Sequence, residues 1–293
     1  MGFGNKIRRL VKEPKKTIKH TYHRIDYSTG KSLFGNTAGL QNNVSGSLQS
    51  VGNNSIKSED ANELKRIGFF KLGQIYEKPF FDSIKSKFEK MIEDDEYSYA
   101  RVSFDNHVFM RQLENNPCPI PEFAELLNNE IKTIMSDYFG GNFQVKRLIA
   151  SRNYHIPPEI QAKKEFYADH WHCDARDADS YWKAFILLSD VTEDDGPLHL
   201  HPRERTKELI QMGFGTRDDY NLSDNVLYDP KSLVKHTGPA GTVVIGNPAI
   251  CLHRAGIPAP GHHRDIIYMI MGRSNQVLSD DWLNHQDPDH KYD

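Results

Sequence analysis

The sequence has few cysteines and no long apolar run. Its 293 residues include three cysteines, Cys118, Cys173 and Cys251, an odd number whose spacing matches no zinc-binding pattern. We therefore expect a reducing compartment and no disulfide framework. No segment approaches the roughly 18 consecutive apolar residues that a membrane-spanning helix needs, so we predict no transmembrane segment.

The chain also lacks an overall excess of positive charge, although its N-terminal residues are basic. Residues 1–31 contain nine Lys or Arg against Glu13 and Asp26, a local charge of +7, which leaves −10 for the rest of a chain whose net charge is −3. An acidic body argues against nucleic acid as a partner. The basic N-terminus has no apolar h-region, so we expect no secretory signal and a cytoplasmic protein.

Composition divides the chain into an arm with a linker, residues 1–59, and a folded domain, residues 60–293. In residues 1–27, apolar side chains at helical spacing alternate with Lys and Arg. This pattern suits weak contact with a membrane surface, and it also suits a solvated arm. Residues 28–59 are rich in Ser, Gly and Asn, which predicts a linker or loop.

Helical patterns occupy the first part of the domain. Residues 61–67 suit a short helix, and residues 79–94 suit a longer one with an apolar stripe of period four. A third helix is predicted over 121–135, because Pro121 lies in its first turn and Gly140 lies beyond its end. We interpret the apolar stripes as core.

Beyond residue 142, short strand-like segments alternate with turns. Many short strands separated by turn residues predict a sandwich or an open barrel. Residues 203–237 are polar and poorly periodic, which is typical of a lid or binding loop. The predicted strands cover residues 143–154, 166–174, 181–191, 198–201, 241–245, 250–253 and 264–271.

The strongest chemical signal lies in the segment HWHCD, residues 170–174. His172 and Asp174 are two residues apart, so on a strand their side chains point to the same face. His253 ends an apolar, strand-like run and could supply a third ligand. Two imidazoles and one carboxylate on one side of a metal form the facial triad of non-haem Fe(II) oxygenases.

Arg264 follows His253 by eleven residues and opens a strand whose corresponding face is otherwise apolar. An unpaired buried cation is costly, so Arg264 needs an anionic partner. A carboxylate of a bound co-substrate suits the planar guanidinium group. A structural ion pair with Asp265, or with a carboxylate in residues 203–237, would satisfy it equally well, and the spacing leaves both open.

Other histidines offer alternative groupings. His199 and His201 are also a same-face strand pair, with Glu204 close behind, which resembles the first metal motif of small cupins. The distance to Glu204 is short for that motif. His170 lies on the same face as His172, where it could bind substrate, support the metal ligands or be exposed.

Five segments resemble segments of a known enzyme family, and the spacing from His253 to Arg264 also fits that family. They are WHCD at 171–174, KAFILLSDV at 183–191, DGPL at 195–198, AGTVVI at 240–245, and HRAG at 253–256 followed by Arg264. On these segments, residues 60 to about 275 resemble the phytanoyl-CoA dioxygenase family of Fe(II)/2-oxoglutarate oxygenases.

The resemblance implies a mainly β fold with flanking helices, built on the double-stranded β-helix (jelly roll) of cupins. It implies His172, Asp174 and His253 as Fe(II) ligands and Arg264 as the partner of the distal carboxylate of 2-oxoglutarate. The implied reaction uses O2 to hydroxylate an aliphatic C–H bond of a small metabolite, and releases succinate and CO2.

The chain departs from the family at residues 202–205, PRER, where a turn of small residues is usual, and this leaves the substrate contacts undefined. Asp174 is present, whereas related halogenases lack this carboxylate, so hydroxylation, or an oxidation that follows it, is favoured over halogenation. The alternative function is a non-catalytic, cupin-like protein that retains the metal site and binds a small ligand. Neither hypothesis names the substrate.

Overall fold

The computed structural model describes residues 59–103, 105–114, 117–162, 168–174, 182–215 and 222–286. Residues 1–58, and with them the predicted amphipathic arm and nearly all of the linker, lie outside this range, so the domain boundary at residue 60 stays a prediction. Within the described residues, no helix is long and apolar enough to cross a membrane.

The described residues contain six α-helices, which alternate with strands along the chain. They are α1 (Glu59–Ile67), α2 (Lys78–Met91), α3 (Asn129–Phe139), α4 (Pro158–Gln161), α5 (Arg203–Met212) and α6 (Asp224–Leu227). Short 3-10 turns occupy Pro121–Leu126, Glu193–Asp195 and Trp282–Asn284.

The strands form two antiparallel sheets. They are β1 (Phe69–Gln74), β2 (Ser98–Val102), β3 (Val108–Leu113), β4 (Phe143–Tyr154), β5 (Trp182–Leu187), β6 (Leu198–Leu200), β7 (Val234–His236), β8 (Thr242–Gly246), β9 (His253–Ala255) and β10 (His263–Arg273). The large sheet has the order β1-β8-β5-β10-β4-β3-β2, and the small sheet the order β7-β6-β9.

The two sheets enclose a shared apolar interior. Phe185, Val244 and Ile266 of the large sheet pack in one cluster with Leu198 and Leu200 of the small sheet. Two antiparallel sheets around a common interior, with helices outside, form the jelly-roll core that the sequence predicts. The prediction of a mainly β fold with flanking helices is confirmed.

Strand β5 shows how one sequence serves both faces of the large sheet. Trp182, Ala184 and Ile186 belong to the large cluster beneath the helices. The alternate residues of the strand, Phe185 among them, face the interior between the sheets. All six residues of β5 are buried, which places the strand at the centre of the fold.

The helix predicted over residues 121–135 is divided in two. A 3-10 turn ends at Leu126, and α3 begins at Asn129, because the side chain of Asn128 accepts a hydrogen bond of 3.0 Å from the amide of Ile131 and caps the new helix. Gly140, in the left-handed conformation (φ 65°), ends α3 as predicted.

The region predicted as a lid loop, 203–237, contains helix α5, so that prediction is wrong for its first part. Thr206, Leu209 and Ile210 are the buried residues of α5, and they follow the i, i+3, i+4 spacing of one helical face. Leu209 and Ile210 pack with Leu252 in a cluster outside the interior. The apolar stripe of α5 is short and most other residues of the helix are polar, so the sequence pattern did not reveal the helix.

Two strand predictions near the site also need correction. Residues 250–253 do not form a strand, because 248–250 make a turn and β9 begins, rather than ends, at His253. His172 makes an isolated bridge in place of a regular strand over 166–174, of which residues 166–167 lie outside the described chain. Strands β2 and β3 were not predicted at all.

Candidate metal centre

His172, Asp174 and His253 converge on one point at the edge of the interior. Their ligand atoms all lie within 4.8 Å of one another, and no other group of three His, Cys, Asp or Glu side chains in the described part of the chain does so. Oδ1 of Asp174 lies 3.5 Å from Nε2 of His172 and 3.9 Å from Nε2 of His253. The three residues predicted from the sequence are therefore brought together.

Backbone hydrogen bonds hold these residues in register. The amide of His172 donates to the carbonyl of His253, and the amide of His253 donates to the carbonyl of His172, both at 2.9 Å. The amide of Asp174 donates to the carbonyl of Pro248, also at 2.9 Å. The segments that contain His172 and His253, about eighty residues apart in sequence, therefore lie side by side.

Both imidazoles are oriented by their second nitrogen. Nδ1 of His172 lies 2.7 Å from the carbonyl oxygen of His170, and Nδ1 of His253 lies 3.0 Å from that of Cys251. A carbonyl only accepts, so each Nδ1 carries the proton and each Nε2 presents its lone pair to the shared point. His170 contributes its backbone, while its own ring lies 3.8 Å from Asp169.

The carboxylate of Asp174 is held as an anion. Burial would raise the pKa of Asp174, but the charge of Lys183 outweighs it and holds that pKa well below its usual range. Nζ of Lys183 donates to Oδ2 of Asp174 at 2.9 Å. Two neutral imidazoles and an ionised carboxylate on one side of a point are a donor set that fits Fe(II).

Arg264, on β10, is only 3% exposed. Its Nη1 donates to the carbonyl of Gly256 at 3.1 Å, its Nε has no hydrogen-bond partner, and no carboxylate of the described residues forms an ion pair with it. Burial, together with the charge of Arg254, lowers its pKa to about 10, which still leaves a cation at neutral pH. The interior therefore contains a buried positive charge with no carboxylate of the described chain at ion-pair distance; Asp195 acts on it only from farther away.

The structural alternative for Arg264, an ion pair with Asp265, is wrong. Asp265 points to the other face of β10, where both of its oxygens accept hydrogen bonds of 2.8 Å from Arg152. Adjacent residues of a strand face opposite sides, so Asp265 cannot reach the guanidinium of its neighbour. The second structural alternative was a carboxylate in residues 203–237. No described carboxylate of that region forms an ion pair with Arg264, and residues 216–221 lie outside the described chain. A carboxylate from a bound molecule is a partner that suits Arg264.

The competing pair His199 and His201 forms no metal site with other described residues. Leu198 and Leu200 face the interior, so His199 faces outwards, where it stacks on Trp171 with ring centroids 6.1 Å apart. Nε2 of His201 lies 2.8 Å from the carbonyl of Leu227. Glu204, the proposed third member, is exposed and paired with Lys207 at 2.7 Å.

Sequence reasoning missed His236, because it lies in the region taken for a lid. It is 1% exposed and pairs across the small sheet with Leu198, so its ring faces the interior. The ring lies against the backbone of Phe185, yet neither nitrogen makes a hydrogen bond of ordinary geometry. Burial, and then the charge of Lys71, lowers the pKa of His236 to about 3, so the ring is neutral.

Comparisons with known proteins identify the fold. No family model matches the chain, and no curated protein matches its sequence. The epimerase SnoN, solved with Fe3+, alpha-ketoglutarate and nogalamycin RO, superimposes with a TM-score of 0.54 at 13% identity, over 80% of this chain and 90% of its own.

Two further structures show the same likeness. HygX from Streptomyces hygroscopicus, with nickel, 2-oxoglutarate and hygromycin B bound, has a TM-score of 0.50 at 15% identity, over 75% of this chain and 88% of its own. EctD from S. alaskensis, in its apo form, has a TM-score of 0.52 at 15% identity, over 80% of this chain and 84% of its own. At such identities the likeness establishes the jelly-roll fold alone.

Proposed function

We propose that this protein is an Fe(II)- and 2-oxoglutarate-dependent oxygenase of the phytanoyl-CoA dioxygenase type. The observation that carries the proposal is the pairing of two features in one jelly roll. One is a convergent His-Asp-His donor set, and the other is Arg264, a buried cation without a carboxylate partner among the described residues. Metal binding alone requires only the first feature. A co-substrate with a distal carboxylate accounts for both.

In this proposal His172, Asp174 and His253 hold Fe(II), and Arg264 binds the distal carboxylate of 2-oxoglutarate. When bound with 2-oxoglutarate and O2, the iron supplies the oxidising power that attacks a C–H bond, with release of succinate and CO2. SnoN and HygX, which share the fold, were crystallised with a metal ion and this co-substrate. The donor set and the buried guanidinium support the same cofactors here.

The remainder of the interior supplies orientation and a dry environment. Phe185, Leu187 and Ile266 are buried apolar residues that share the interior with Arg264. They exclude water, which strengthens the pairing of the guanidinium with a carboxylate. The Nδ1 hydrogen bonds to backbone carbonyls keep both imidazoles aimed without movement of the protein.

The proposed reaction is hydroxylation of an aliphatic C–H bond in a small metabolite, in the cytoplasm. Asp174 favours this outcome over halogenation through the family resemblance. SnoN is an epimerase, so the fold accommodates more than one outcome. The acidic body argues against nucleic acid as substrate, and residues 1–27 are proposed to contact membrane surfaces weakly.

Anaerobic addition of Fe(II) and 2-oxoglutarate tests the proposal. We expect a pale visible charge-transfer band that is lost in His172→Ala, because the variant lacks one of three ligands. His170→Ala is the matched control, since its ring lies outside the donor set while its backbone carbonyl remains. A folded, iron-loaded wild-type protein without the band would refute the proposal.

Succinate production separates the oxygenase from the alternative, a non-catalytic metal-binding protein. The oxygenase is expected to form succinate from 2-oxoglutarate only when O2 is supplied, slowly even without its true substrate. The alternative predicts binding of metal and ligand with no succinate above that of His172→Ala.

A further inference from the structure

We propose that Lys183 is a positioning residue that keeps Asp174 a one-oxygen ligand, so that the metal retains three coordination positions for co-substrate and O2. This inference rests on the proposed function and assigns Lys183 a role in that same site.

The two oxygens of Asp174 have different surroundings. Oδ1 faces the imidazoles, at 3.5 Å from Nε2 of His172 and 3.9 Å from Nε2 of His253. Oδ2 accepts a hydrogen bond of 2.9 Å from Nζ of Lys183. One oxygen is therefore placed among the metal donors, and the other is engaged by a cation.

The position of Lys183 in the fold is unusual for its residue type. It alternates on β5 with Trp182 and Ala184, which face the helices, so its side chain extends into the interior. Its side chain is 9% exposed, and Nζ also lies 5.5 Å from the ring centroid of Tyr268. A buried ammonium group costs free energy unless it is paired and hydrogen-bonded, and Asp174 provides that pairing.

The number of ligands shows why the second oxygen matters. A facial triad leaves three of six positions open, and 2-oxoglutarate takes two of them while O2 takes the third. A carboxylate that bound through both oxygens would occupy one of those positions. A charge-assisted hydrogen bond to Oδ2 opposes this, because the oxygen would have to leave Lys183 to reach the metal.

A purely structural role is the competing explanation. Lys183 would then serve only to neutralise a buried carboxylate. Its loss would lower stability without altering the coordination of a bound metal or the affinity for 2-oxoglutarate. The two roles differ in the coordination of the metal, which can be observed without turnover.

The test uses the full-length protein loaded with Co(II) under nitrogen, because the visible spectrum of Co(II) reports its coordination. Lys183→Met is expected to bind Co(II), to show a Co(II) spectrum different from wild type, and to bind 2-oxoglutarate about tenfold more weakly or worse. Lys183→Arg, which keeps a cationic N–H donor, is expected to restore both properties at least in part.

Arg152→Met is the matched control. It also removes a cation paired at 2.8 Å with a buried carboxylate, that of Asp265, but on the opposite face of the large sheet. We expect a lower melting temperature with the wild-type Co(II) spectrum and wild-type affinity for 2-oxoglutarate. Should Lys183→Met fail to fold, Lys183→Gln, which is polar, neutral and shorter, tests the same expectation.

A wild-type spectrum and wild-type 2-oxoglutarate affinity in the Lys183 variants, whatever their stability, would overturn the inference and leave the proposed function intact. Failure of the proposed function is recognised separately. In that case the wild-type protein itself binds no metal, or binds metal but no 2-oxoglutarate.

Discussion

The two faces of the seven-stranded sheet are built on different principles. The face beneath the helices has a large apolar cluster that includes Phe88 of α2, Ile131 of α3 and Trp182 of β5, and its buried carboxylate, that of Asp265, is paired with Arg152. The opposite face has a small apolar cluster, interrupted by the buried cations Lys183 and Arg264. The same strands contribute to both faces.

The difference teaches where the stability lies and where the function lies. Apolar burial on the helix side contributes favourable free energy, at about 1.5–3 kcal/mol for each fully buried large side chain. Buried charges on the interior side oppose folding unless they are paired. Arg264 has no such pairing among the described residues, so a ligand rather than the fold accounts for it.

The largest expected effect comes from damage to the helix side. Phe88 is fully buried there, and Phe88→Ala should reduce the free energy of unfolding by about 3–5 kcal/mol, since it leaves a cavity. Denaturant titration measures the loss. If Phe88→Ala remains folded, it should still show the charge-transfer band with Fe(II) and 2-oxoglutarate.

Val277→Ala is the control for that substitution, because Val277 is 78% exposed and should change the unfolding free energy by less than about 0.5 kcal/mol. A stable Phe88→Ala protein that lost the band would mean that the two faces are not separable.

On the interior side we expect a smaller effect, and it should fall on ligand binding and not on the free energy of unfolding. Arg264→Met should weaken 2-oxoglutarate binding by about 2 kcal/mol or more, roughly thirtyfold, because a buried carboxylate loses its charged partner. Without ligand, the unfolding free energy should not fall, since an unpaired buried charge has been removed.

Calorimetric titration of the metal-loaded variant without O2, together with denaturant unfolding, measures both quantities for Arg264→Met. The contrary result is a large loss of stability with unchanged 2-oxoglutarate affinity, which would make Arg264 a structural residue.

The smallest effect concerns pH and His236. Because its folded pKa of about 3 lies below the roughly 6.5 of an unfolded histidine, the unfolded chain binds the extra proton, and stability falls as pH drops through this window. Protonation of His236 in the unfolded chain should lower the free energy of unfolding by about 2 kcal/mol between pH 7 and pH 5. His236→Leu should remove that part of the slope.

Urea unfolding of metal-free protein at several pH values measures the His236 contribution as the difference between variant and wild type. Val277→Ala, which removes an exposed side chain that does not titrate, provides the control and should leave the slope as it is in wild type. Equal slopes for His236→Leu and wild type would show that the ring is not held neutral in the interior.

Periodicity predicted the elements with long uniform patterns. Strand β4 spans Phe143–Tyr154, the bounds expected from the sequence, and α2 and β10 lie within a few residues of theirs. The same reasoning did not predict short elements. Helix α5 buries only three residues, and β9 has three residues in all, so neighbouring turns and polar residues outweigh their patterns.

The sequence by itself determined the residue types of the candidate centre and their order along the chain. It also predicted that Arg264 interrupts an otherwise apolar strand face, since alternation is a local property of a strand. Alternation did not decide which face Lys183 takes. Spacing along the chain said nothing about distance in space, so the alternative histidines stayed open.

Only the tertiary structure decided which of these residues meet. The backbone bridge between His172 and His253 sets the donor geometry, and the packing of β5 places Lys183 on one oxygen of Asp174. The fold also turns Asp265 away from Arg264, towards Arg152. The physical reason is that charge pairing and ligand geometry depend on contacts between distant segments, which exist only once the two sheets have closed around the interior.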